Sequence, residues 1–259
     1  PDHSGALAEI MERRPDIPIY CSVKGVETIR KQFHKDWNFR AVKTGDTINI
    51  GMYELVFVDM TMIHWPDSMM TFVKGPNVLL SNDAFGQHLA GASIFEDELD
   101  QCMVWHEAIK YYANILTPFA PLIRKKIDEI LAMNLPIEMI APSHGAIWRK
   151  EPLRIVEKYV QWSDNYNEGY VTIVYDTMYN ATKKMAGAIA RGLESRGIKS
   201  KQFNISATDM NELMTELFKA KGIIIGSCTV NNGPLRNIAA ILAEIKGHKL
   251  KNKVGAAFG

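Results

Sequence analysis

The sequence predicts two domains, a mixed α+β half followed by an α/β half with a parallel sheet. Its 259 residues, 47% of them hydrophobic, suffice for two apolar cores of ordinary size. Residues 161–170, QWSDNYNEGY, are hydrophilic and predict a linker. Strands and helices alternate strictly after this linker but not before it, so we expect the domains at residues 1–165 and 166–259.

The first half begins as a loop that leads into a helix, in PDHSGALAEIMERRPD. The apolar run IPIYCSV predicts a short strand, and a helical stretch follows Lys24. The alternating segment FRAVKTGDTINIGMYELVFVDM, with a turn at Gly45-Asp46, predicts a β-meander. Beyond it, NVLLSND and IEMIAPSHG predict strands that end on polar residues, with helices at 98–116 and 121–134 between them.

The second half repeats one pattern. YVTIVYD, KSKQFNI, GIIIGS and KVGAAF predict strands, and ATKKMAGAIARGLESRG, DMNELMTELFKA and GPLRNIAAILAEIKG predict the helices between them. Such alternation produces right-handed βαβ units and a parallel sheet. Ligands of these sheets bind at the carboxyl ends of the strands, so we expect a binding site there.

Composition excludes several classes of function. Thirty Lys and Arg residues against 29 Asp and Glu residues leave a net charge of +1, and no basic run is interleaved with aromatic residues, which argues against nucleic acid. No apolar stretch is long enough to span a bilayer and no signal sequence opens the chain, so we expect no membrane partner and a cytoplasmic location. Three widely separated cysteines exclude a disulfide framework and a CxxC site.

Both ends of the sequence look cut. The sequence has no initiator Met, and it stops as a predicted strand is finishing. We therefore expect an interior piece of a longer protein.

Five acidic and imidazole side chains stand at strand ends or turns of the first half: Asp2, His3, His64, Asp83 and His144. Imidazoles and carboxylates suit a mid-row metal ion, and two adjacent ions need about this number of ligands with one bridging carboxylate. Each residue also has a plain structural explanation as a hydrogen-bonded His, a turn residue or a helix N-cap. Only the recurrence of the set favours a metal centre, and composition alone leaves the choice open.

The segments DHSG, HWPDSM, SNDAFG and PSHGAIWR, in this order and at these spacings, resemble the ligand segments of the flavodiiron proteins. Members of that family join a metallo-β-lactamase-like αββα sandwich to a flavodoxin-like domain with a doubly wound parallel sheet. The resemblance covers nearly the whole chain and implies this fold for it.

The resemblance also implies the metal ligands. The first motif of the family is His-x-Glu-x-Asp-His, whose end matches Asp2 and His3, so its first His and Glu would precede the given sequence. Asp2, His3 and His144 would then hold one iron. His64 would hold the other iron with the two upstream ligands, and Asp83 would bridge the pair.

The remaining histidines divide into two groups. His88, five residues after Asp83, is predicted either to donate a hydrogen bond that orients a ligand or the bound gas, or to lie on a helix face. His34, His106 and His248 have no such neighbours in the sequence and are predicted to face solvent.

Two loops of the second half resemble the FMN loops of flavodoxins. YDTMYNAT offers backbone N–H groups and the hydroxyls of Thr177 and Thr182 to a phosphate at a helix N-terminus, without a Walker lysine or a GxGxxG motif. Asn180 stands where glycine is common, and asparagine tolerates the left-handed conformation. GSCTVNNG resembles the loop around the isoalloxazine ring, with Cys228 in place of the expected proline; a plain polar turn is the alternative for each loop. The predicted FMN contacts are Thr177, Met178, Tyr179, Asn180, Ala181, Thr182, Ser227, Thr229, Val230, Asn231, Asn232 and Gly233.

One aromatic residue is added to the predicted flavin contacts. In the family the flavin of one subunit approaches the diiron site of another across a head-to-tail dimer. By that resemblance Trp148, in HGAIWR, is predicted to neighbour the flavin, with core packing as the alternative.

The resemblance implies an oxidoreductase. FMN would take electrons from a donor such as rubredoxin or a reduced deazaflavin and pass them to a non-haem diiron site that reduces O2 to water, NO to N2O, or both. The implied assembly is a head-to-tail homodimer or a dimer of dimers. Two alternatives stay open: a binuclear zinc hydrolase fused to a flavodoxin-like domain, and a flavin-carrying electron shuttle whose first domain is a scaffold. Glu at the second position before Asp2 indicates iron, and His indicates zinc.

Overall fold

The computed structural model describes residues 3–259, so Asp2 lies outside the described residues. The chain forms two compact units. The first runs through Ala108 and includes Pro121–Val160, and the second comprises Ile109–Ala120 and Gln161–Gly259. The domain limits 1–165 and 166–259 stay a prediction.

The first unit is built on sheets. Its strands are β1 (Ile19–Ser22), β2 (Phe39–Val42), β3 (Thr47–Asn49), β4 (Glu54–Asp59), β5 (Met69–Lys74), β6 (Val78–Asn82) and β7 (Met139–Pro142). β1 and β2 pair in parallel as a two-stranded sheet, whereas β3 to β7 form a five-stranded sheet in chain order. The predicted meander is confirmed for the antiparallel pair β3–β4, but β2 pairs with β1 instead because the helix between them returns the chain alongside β1.

The lower-numbered helices are α1 (Leu7–Arg13), α2 (Val23–Phe33), α3 (Gln101–Tyr111), α4 (Ala120–Ala132) and α5 (Leu153–Ser163). The side chain of Ser22 caps α2 by accepting a hydrogen bond from the backbone N–H of Gly25. α5 extends to Ser163, so the prediction of a linker is wrong for residues 161–163. The helix continues there because Tyr159 and Trp162 are buried at helical spacing.

The pairing of two strands positions the first candidate site. β6 and β7 are neighbours and run parallel, with Leu79 opposite Ile140 in the core. The residues that follow these strands therefore leave the same edge of the sheet. Asp83 follows β6 and His144 lies two residues after β7, so strand pairing brings distant parts of the sequence together.

The second unit has the predicted parallel sheet. Its main elements are β8 (Val171–Tyr175), α6 (Ala181–Glu194), β9 (Ser200–Asn204), α7 (Met210–Lys219), β10 (Gly222–Gly226), α8 (Arg236–His248) and β13 (Val254–Phe258). A small hairpin of β11 (Thr229–Val230) and β12 (Gly233–Pro234) follows β10. The strand order is β13-β10-β8-β9, and all the pairs are parallel. β9 is added on one side of β8 and β10 on the other, so the switch point of the sheet lies between β8 and β10. Ligands bind at such a switch point in open α/β sheets.

The segment Ile109–Ala120 belongs to the second unit because its side chains pack there. The ring of Tyr112 lies 5.4 Å from the ring of Trp162 and 5.7 Å from that of Phe218, centroid to centroid. The carbonyl oxygen of Asn114 lies 3.1 Å from Nε2 of His248. Long-range packing of this kind leaves no local sequence pattern.

The prediction that His248 faces solvent is wrong. The residue is 8% exposed, and Nδ1 of its imidazole lies 2.8 Å from the carbonyl oxygen of Glu244 in the preceding helical turn. His248 is buried because it joins the end of α8 to the backbone of Asn114. His34 is exposed as predicted, and His106 is half-buried. None of the helices in the described part of the chain combines the length and apolarity needed to cross a membrane.

Candidate metal centre and flavin loops

The first candidate site is centred on the carboxylate of Asp83, which is 2% exposed. Nε2 of His3 lies 2.8 Å from Oδ1 of Asp83, and Nε2 of His144 lies 3.3 Å from the same oxygen. Nε2 of His64 lies 3.4 Å from the other oxygen, Oδ2. The structure thus brings together the four predicted ligands that it describes, with imidazoles at both oxygens of one buried carboxylate.

The imidazoles determine the charge of this carboxylate. Burial alone would raise the pKa of Asp83, but hydrogen bonds from His64 and His3 outweigh it and lower the pKa below its usual value. Asp83 is therefore an anion in a buried position, where a cation is strongly favoured. Imidazole nitrogens and carboxylate oxygens are the donors that suit Zn, Fe and other mid-row ions. The donor set consequently fits a metal centre.

Strained backbone flanks the ligands. Asn82 and Phe85, on either side of Asp83, have φ angles of 55° and 69°, and Met62, two residues before His64, has a φ of 67°. Non-glycine residues in this left-handed region cost on the order of 1–3 kcal/mol and persist only where packing supports them.

Tyr159 supplies part of that support at Phe85. Its hydroxyl accepts a hydrogen bond of 2.8 Å from the backbone N–H of Phe85, and the two rings lie 4.7 Å apart. Both residues are buried. The segment that carries Asp83 is therefore anchored to α5, and this packing fixes the direction of the carboxylate.

Trp148 also holds this segment. Its indole N–H donates a hydrogen bond of 2.8 Å to the carbonyl oxygen of Phe85, its side chain is 1% exposed, and its ring lies 4.9 Å from that of Trp105. Within the described residues Trp148 packs in the core, which was the alternative to a flavin contact. Its contact with a flavin stays a prediction.

His88 lies beside the cluster. It is exposed in an irregular segment, so the alternative that placed it on a helix face is wrong; the segment beyond Asp83 follows the neighbouring loop instead of starting a helix. Its ring meets the His144 ring edge-on, at a centroid distance of 5.6 Å and an angle of 80°. The predicted role of His88 as a donor stays a prediction.

A cavity of about 190 Å³ opens onto Asp83 and His3. A water molecule occupies about 30 Å³ of the liquid, so the cavity has room for several molecules of that size. Cys21 and Trp65 line it. Burial, with the nearby Asp67, raises the pKa of the Cys21 thiol to about 11, which keeps the thiol protonated and unreactive at neutral pH.

The first flavin loop leaves β8 at the switch point of the second sheet. Asn180, with a φ of 65°, takes the left-handed conformation expected at this position. α6 begins directly after it, and no side chain of the described residues caps the helix, so its first N–H groups point to an open N-terminus. Thr182 is buried, whereas Met178 and Tyr179 are exposed. The loop thus has the form of an anion cradle.

The second flavin loop contains the β11–β12 hairpin, which follows the adjacent strand β10. Asn231 and Asn232 form its tip, with φ angles of 50° and 59°. The hydroxyl of Ser227 accepts a hydrogen bond of 2.9 Å from the backbone N–H of Leu235, which closes the base of the loop. Both predicted loops therefore emerge from neighbouring carboxyl ends of one sheet.

Sequence reasoning missed the residue that joins these loops to their neighbours. Asp176, 7% exposed, accepts hydrogen bonds from the Thr177 backbone N–H, the Ser206 hydroxyl and the Asn237 side-chain amide, at 2.9, 2.9 and 3.2 Å. Its position directly after β8 was the available signal. Its partners lie on other elements and were not predictable from spacing.

Comparisons with known proteins agree with this geometry. The profile of the Flavodoxin family matches residues 173–259. The chain is 49% identical to the anaerobic nitric oxide reductase flavorubredoxin of Vibrio vulnificus (strain YJ016) over 100% of its own length and 53% of the relative. It superimposes on the rubredoxin oxygen:oxidoreductase of Desulfovibrio gigas with a TM-score of 0.95 and 36% identity, covering 100% of this chain and 66% of that one. The chain belongs to the flavodiiron protein family.

Other flavodiiron relatives give the same result. The anaerobic nitric oxide reductase flavorubredoxin of Escherichia coli O1:K1 / APEC is 48% identical over 100% of this chain and 55% of the relative. The flavodiiron protein of Giardia intestinalis matches with a TM-score of 0.90 and 29% identity, over 98% of this chain and 63% of that one. This flavodiiron chain thus spans about half the length of these curated relatives.

Membership of the flavodiiron family confirms two predictions. The fold is the two-domain arrangement of the family, a metallo-β-lactamase-like part followed by a flavodoxin-like part. The predicted cofactors, FMN and a non-haem diiron centre, are those of flavodiiron proteins. The assignment of individual residues to these cofactors is a separate question.

Proposed function

We propose that this chain is the diiron and FMN core of an oxidoreductase that reduces NO to N2O, O2 to water, or both. The observation that carries the proposal is the buried Asp83 carboxylate, with His3 and His144 at one oxygen and His64 at the other. A carboxylate that faces donors on both sides is the form a bridging ligand requires. Relatives named as a nitric oxide reductase and an oxygen oxidoreductase support the choice of gases.

The proposed ligands divide by the oxygen of Asp83 that they face. His3 and His144, together with Asp2, hold one iron, and His64 belongs to the other. Asp83 bridges the two. When bound, two irons and FMN would supply the redox chemistry, with two electrons for the reduction of two NO molecules to N2O or four for the reduction of O2 to water. The chain itself holds the ligand segment in place, since the strained backbone at Phe85 is held by the buried side chains of Tyr159 and Trp148.

The cavity beside Asp83 is the proposed place of the gas. Trp65 covers part of it, and the neutral Cys21 thiol offers no competing nucleophile. The ring of His88 contacts the ring of His144, which is a proposed iron ligand. His88 is therefore the proposed source of a hydrogen bond on the His144 side of the site. A cavity of this size admits a small uncharged molecule.

The proposed FMN site combines the two loops at the switch point of the second sheet. The open N-terminus of α6 receives the phosphate through backbone N–H groups, with the hydroxyls of Thr177 and Thr182 nearby. The hairpin at the other loop holds the ring system. The proposed contacts in these loops are Thr177, Met178, Tyr179, Asn180, Ala181, Thr182, Ser227, Thr229, Val230, Asn231, Asn232 and Gly233.

Partners and location complete the proposal. Relatives are named for rubredoxin and as flavorubredoxins, which supports a rubredoxin-type electron donor, with a reduced deazaflavin as the other predicted donor. The predicted head-to-tail homodimer, in which Trp148 neighbours the partner's flavin, and the cytoplasmic location belong to the same proposal.

The deciding experiment measures metal and flavin in the purified full-length protein, together with consumption of NO and O2 under a reduced donor. We expect about two irons and one FMN per chain, with consumption of at least one gas. Two zinc ions with little flavin and no gas consumption would contradict the proposal. They would favour the hydrolase, which is then assayed with ester and phosphodiester substrates.

A further inference from the structure

We propose that Gln87 is the positioning residue of the metal centre, which locks the loop of His144 against the loop of Asp83. This inference rests on the proposed metal centre. Gln87 is completely buried, with 0% exposure, and lies four residues after Asp83. No motif of the sequence pointed to it.

The Gln87 side chain is hydrogen-bonded to both ligand loops at once. Its Nε2 donates to the carbonyl oxygen of Phe85 at 3.0 Å and to that of Ala146 at 3.4 Å. Its Oε1 accepts from the backbone N–H of Ala146 at 2.7 Å. The backbone N–H of Gln87 adds a bond of 3.2 Å to the carbonyl oxygen of His144. One amide therefore satisfies buried backbone groups on both sides.

Glycines allow the two loops to approach closely enough for these bonds. A Cβ on Gly145, whose φ is +79°, would overlap Oε1 and the carbonyl oxygen of Gln87. A Cβ on Gly86 would lie 3.1 Å from the carbonyl oxygen of Asp83 and 3.3 Å from that of His144. The backbones of the two loops thus pack directly on each other, with Gln87 between them.

Only a neutral side chain with both a donor and an acceptor fits this position. Leu at 87 would take the Gln87 side chain away from the buried N–H and carbonyl oxygen of Ala146, which is costly, whereas the Phe85 carbonyl oxygen would keep the Trp148 indole as its donor. Glu would keep the acceptor but would direct an oxygen at the carbonyl groups of Phe85 and Ala146. Gln87 thereby controls where His144 stands relative to Asp83, and metal ligands must be held within about 0.5 Å of their productive positions.

The test compares Gln87→Leu and Gln87→Glu with a matched control, Glu96→Leu, in the full-length protein. Glu96 is 5% exposed, and its carboxylate accepts hydrogen bonds from the backbone N–H groups of Arg149 and Lys150, at 2.9 and 3.0 Å. It therefore holds the same stretch of chain just beyond the ligand loop. Each metal-free protein is titrated with Co²⁺, whose visible absorption reports on the ligand geometry, and its Tm is measured separately.

We expect Gln87→Leu to weaken Co²⁺ binding roughly 10-fold or more and to change the absorption band, as loss of a group that orients a ligand does. Glu96→Leu should lower the Tm and leave the Kd for Co²⁺ unchanged. If Gln87→Leu fails to fold, Gln87→Glu serves as the test, because it keeps the acceptor and the shape of the side chain. We expect it to weaken Co²⁺ binding by the same factor.

An unchanged Kd in the folded Gln87 variants would overturn the proposal, and so would an equal weakening by Glu96→Leu. Failure of the metal centre gives a different result, because the wild-type protein itself then takes up no Co²⁺ and the role of Gln87 falls with it. Failure of the redox function alone, with zinc in place of iron, leaves Co²⁺ uptake by the wild-type protein intact.

Discussion

Asp83 shows how a single residue acquires a chemical role from its surroundings. An isolated buried carboxylate tends to take up a proton, because burial disfavours its charge. Here imidazoles at both oxygens reverse that tendency and hold the pKa low. A buried, charged carboxylate with an imidazole at each of its two oxygens is suited to lie between two cations.

At the residue scale we predict that Asp83→Asn abolishes binding of the metal pair. The amide has no negative charge and presents an N–H group to one of the imidazoles, so it cannot bridge. Metal content, measured by elemental analysis, should fall from about two ions per chain to about one or fewer.

Asp59→Asn is the matched control for this prediction. Asp59 is a half-buried carboxylate of the same unit that accepts hydrogen bonds from the Thr61 backbone and hydroxyl. It should retain both metals. Full metal content in Asp83→Asn would contradict the bridging role.

At the scale of elements, loops from several strands and helices are joined by single polar side chains. Asp176 ties the loop after β8 to Ser206, which follows β9, and to Asn237 at the start of α8. The loop that leads to the open N-terminus of α6 is thus hydrogen-bonded to two other segments of the unit. The position of this candidate phosphate loop is therefore set by the fold.

We predict that Asp176→Ala raises the Kd for FMN roughly 10-fold. The Thr177 backbone N–H, the Ser206 hydroxyl and the Asn237 amide lose their shared buried acceptor, so the loop loses its fixed position. Quenching of flavin fluorescence, on titration of the flavin-free protein with FMN, measures the change.

Asp209→Ala is the control for the flavin loop. Asp209 caps α7 by accepting hydrogen bonds from the backbone N–H groups of Asn211 and Glu212, so its loss costs about 1 kcal/mol of stability. We expect a lower Tm with an unchanged Kd for FMN. Equal effects of the two variants would show that the Asp176 result reflects stability alone.

At the scale of the whole molecule, each set of candidate ligands lies within one compact unit. His3, His64, Asp83 and His144 belong to the first unit, and both flavin loops belong to the second. The exception is Trp148, the predicted neighbour of a partner's flavin, which lies in the first unit. The candidate metal ligands and the flavin loops of one chain therefore belong to separate parts of the fold.

This separation predicts independent loss of the cofactors in the full-length protein. Chelation of the metals should leave the flavin absorption unchanged, and release of FMN by high salt at mildly acidic pH should leave the metal content unchanged. Absorption spectra and elemental analysis before and after each treatment test this. Release of FMN on chelation alone would contradict it.

Sequence alone was sufficient for much of this protein. Regular alternation after residue 170 predicted a parallel sheet, which the structure has. Four short segments in the right order pointed to the family, and they named Asp83 and its histidines, which the structure brings together and whose role as ligands stays a prediction. The fold was predictable because the periodicity of strands and helices is local.

Tertiary structure decided the rest. The two faces of Asp83, the burial of His248 and the role of Gln87 depend on strand pairing and packing between distant residues. Gln87 lies 59 positions from Ala146, its hydrogen-bond partner, and meets it only because β6 and β7 run side by side. Local patterns carry no information on such encounters, since the buried amide of Gln87 looks in the sequence like any polar residue of a loop.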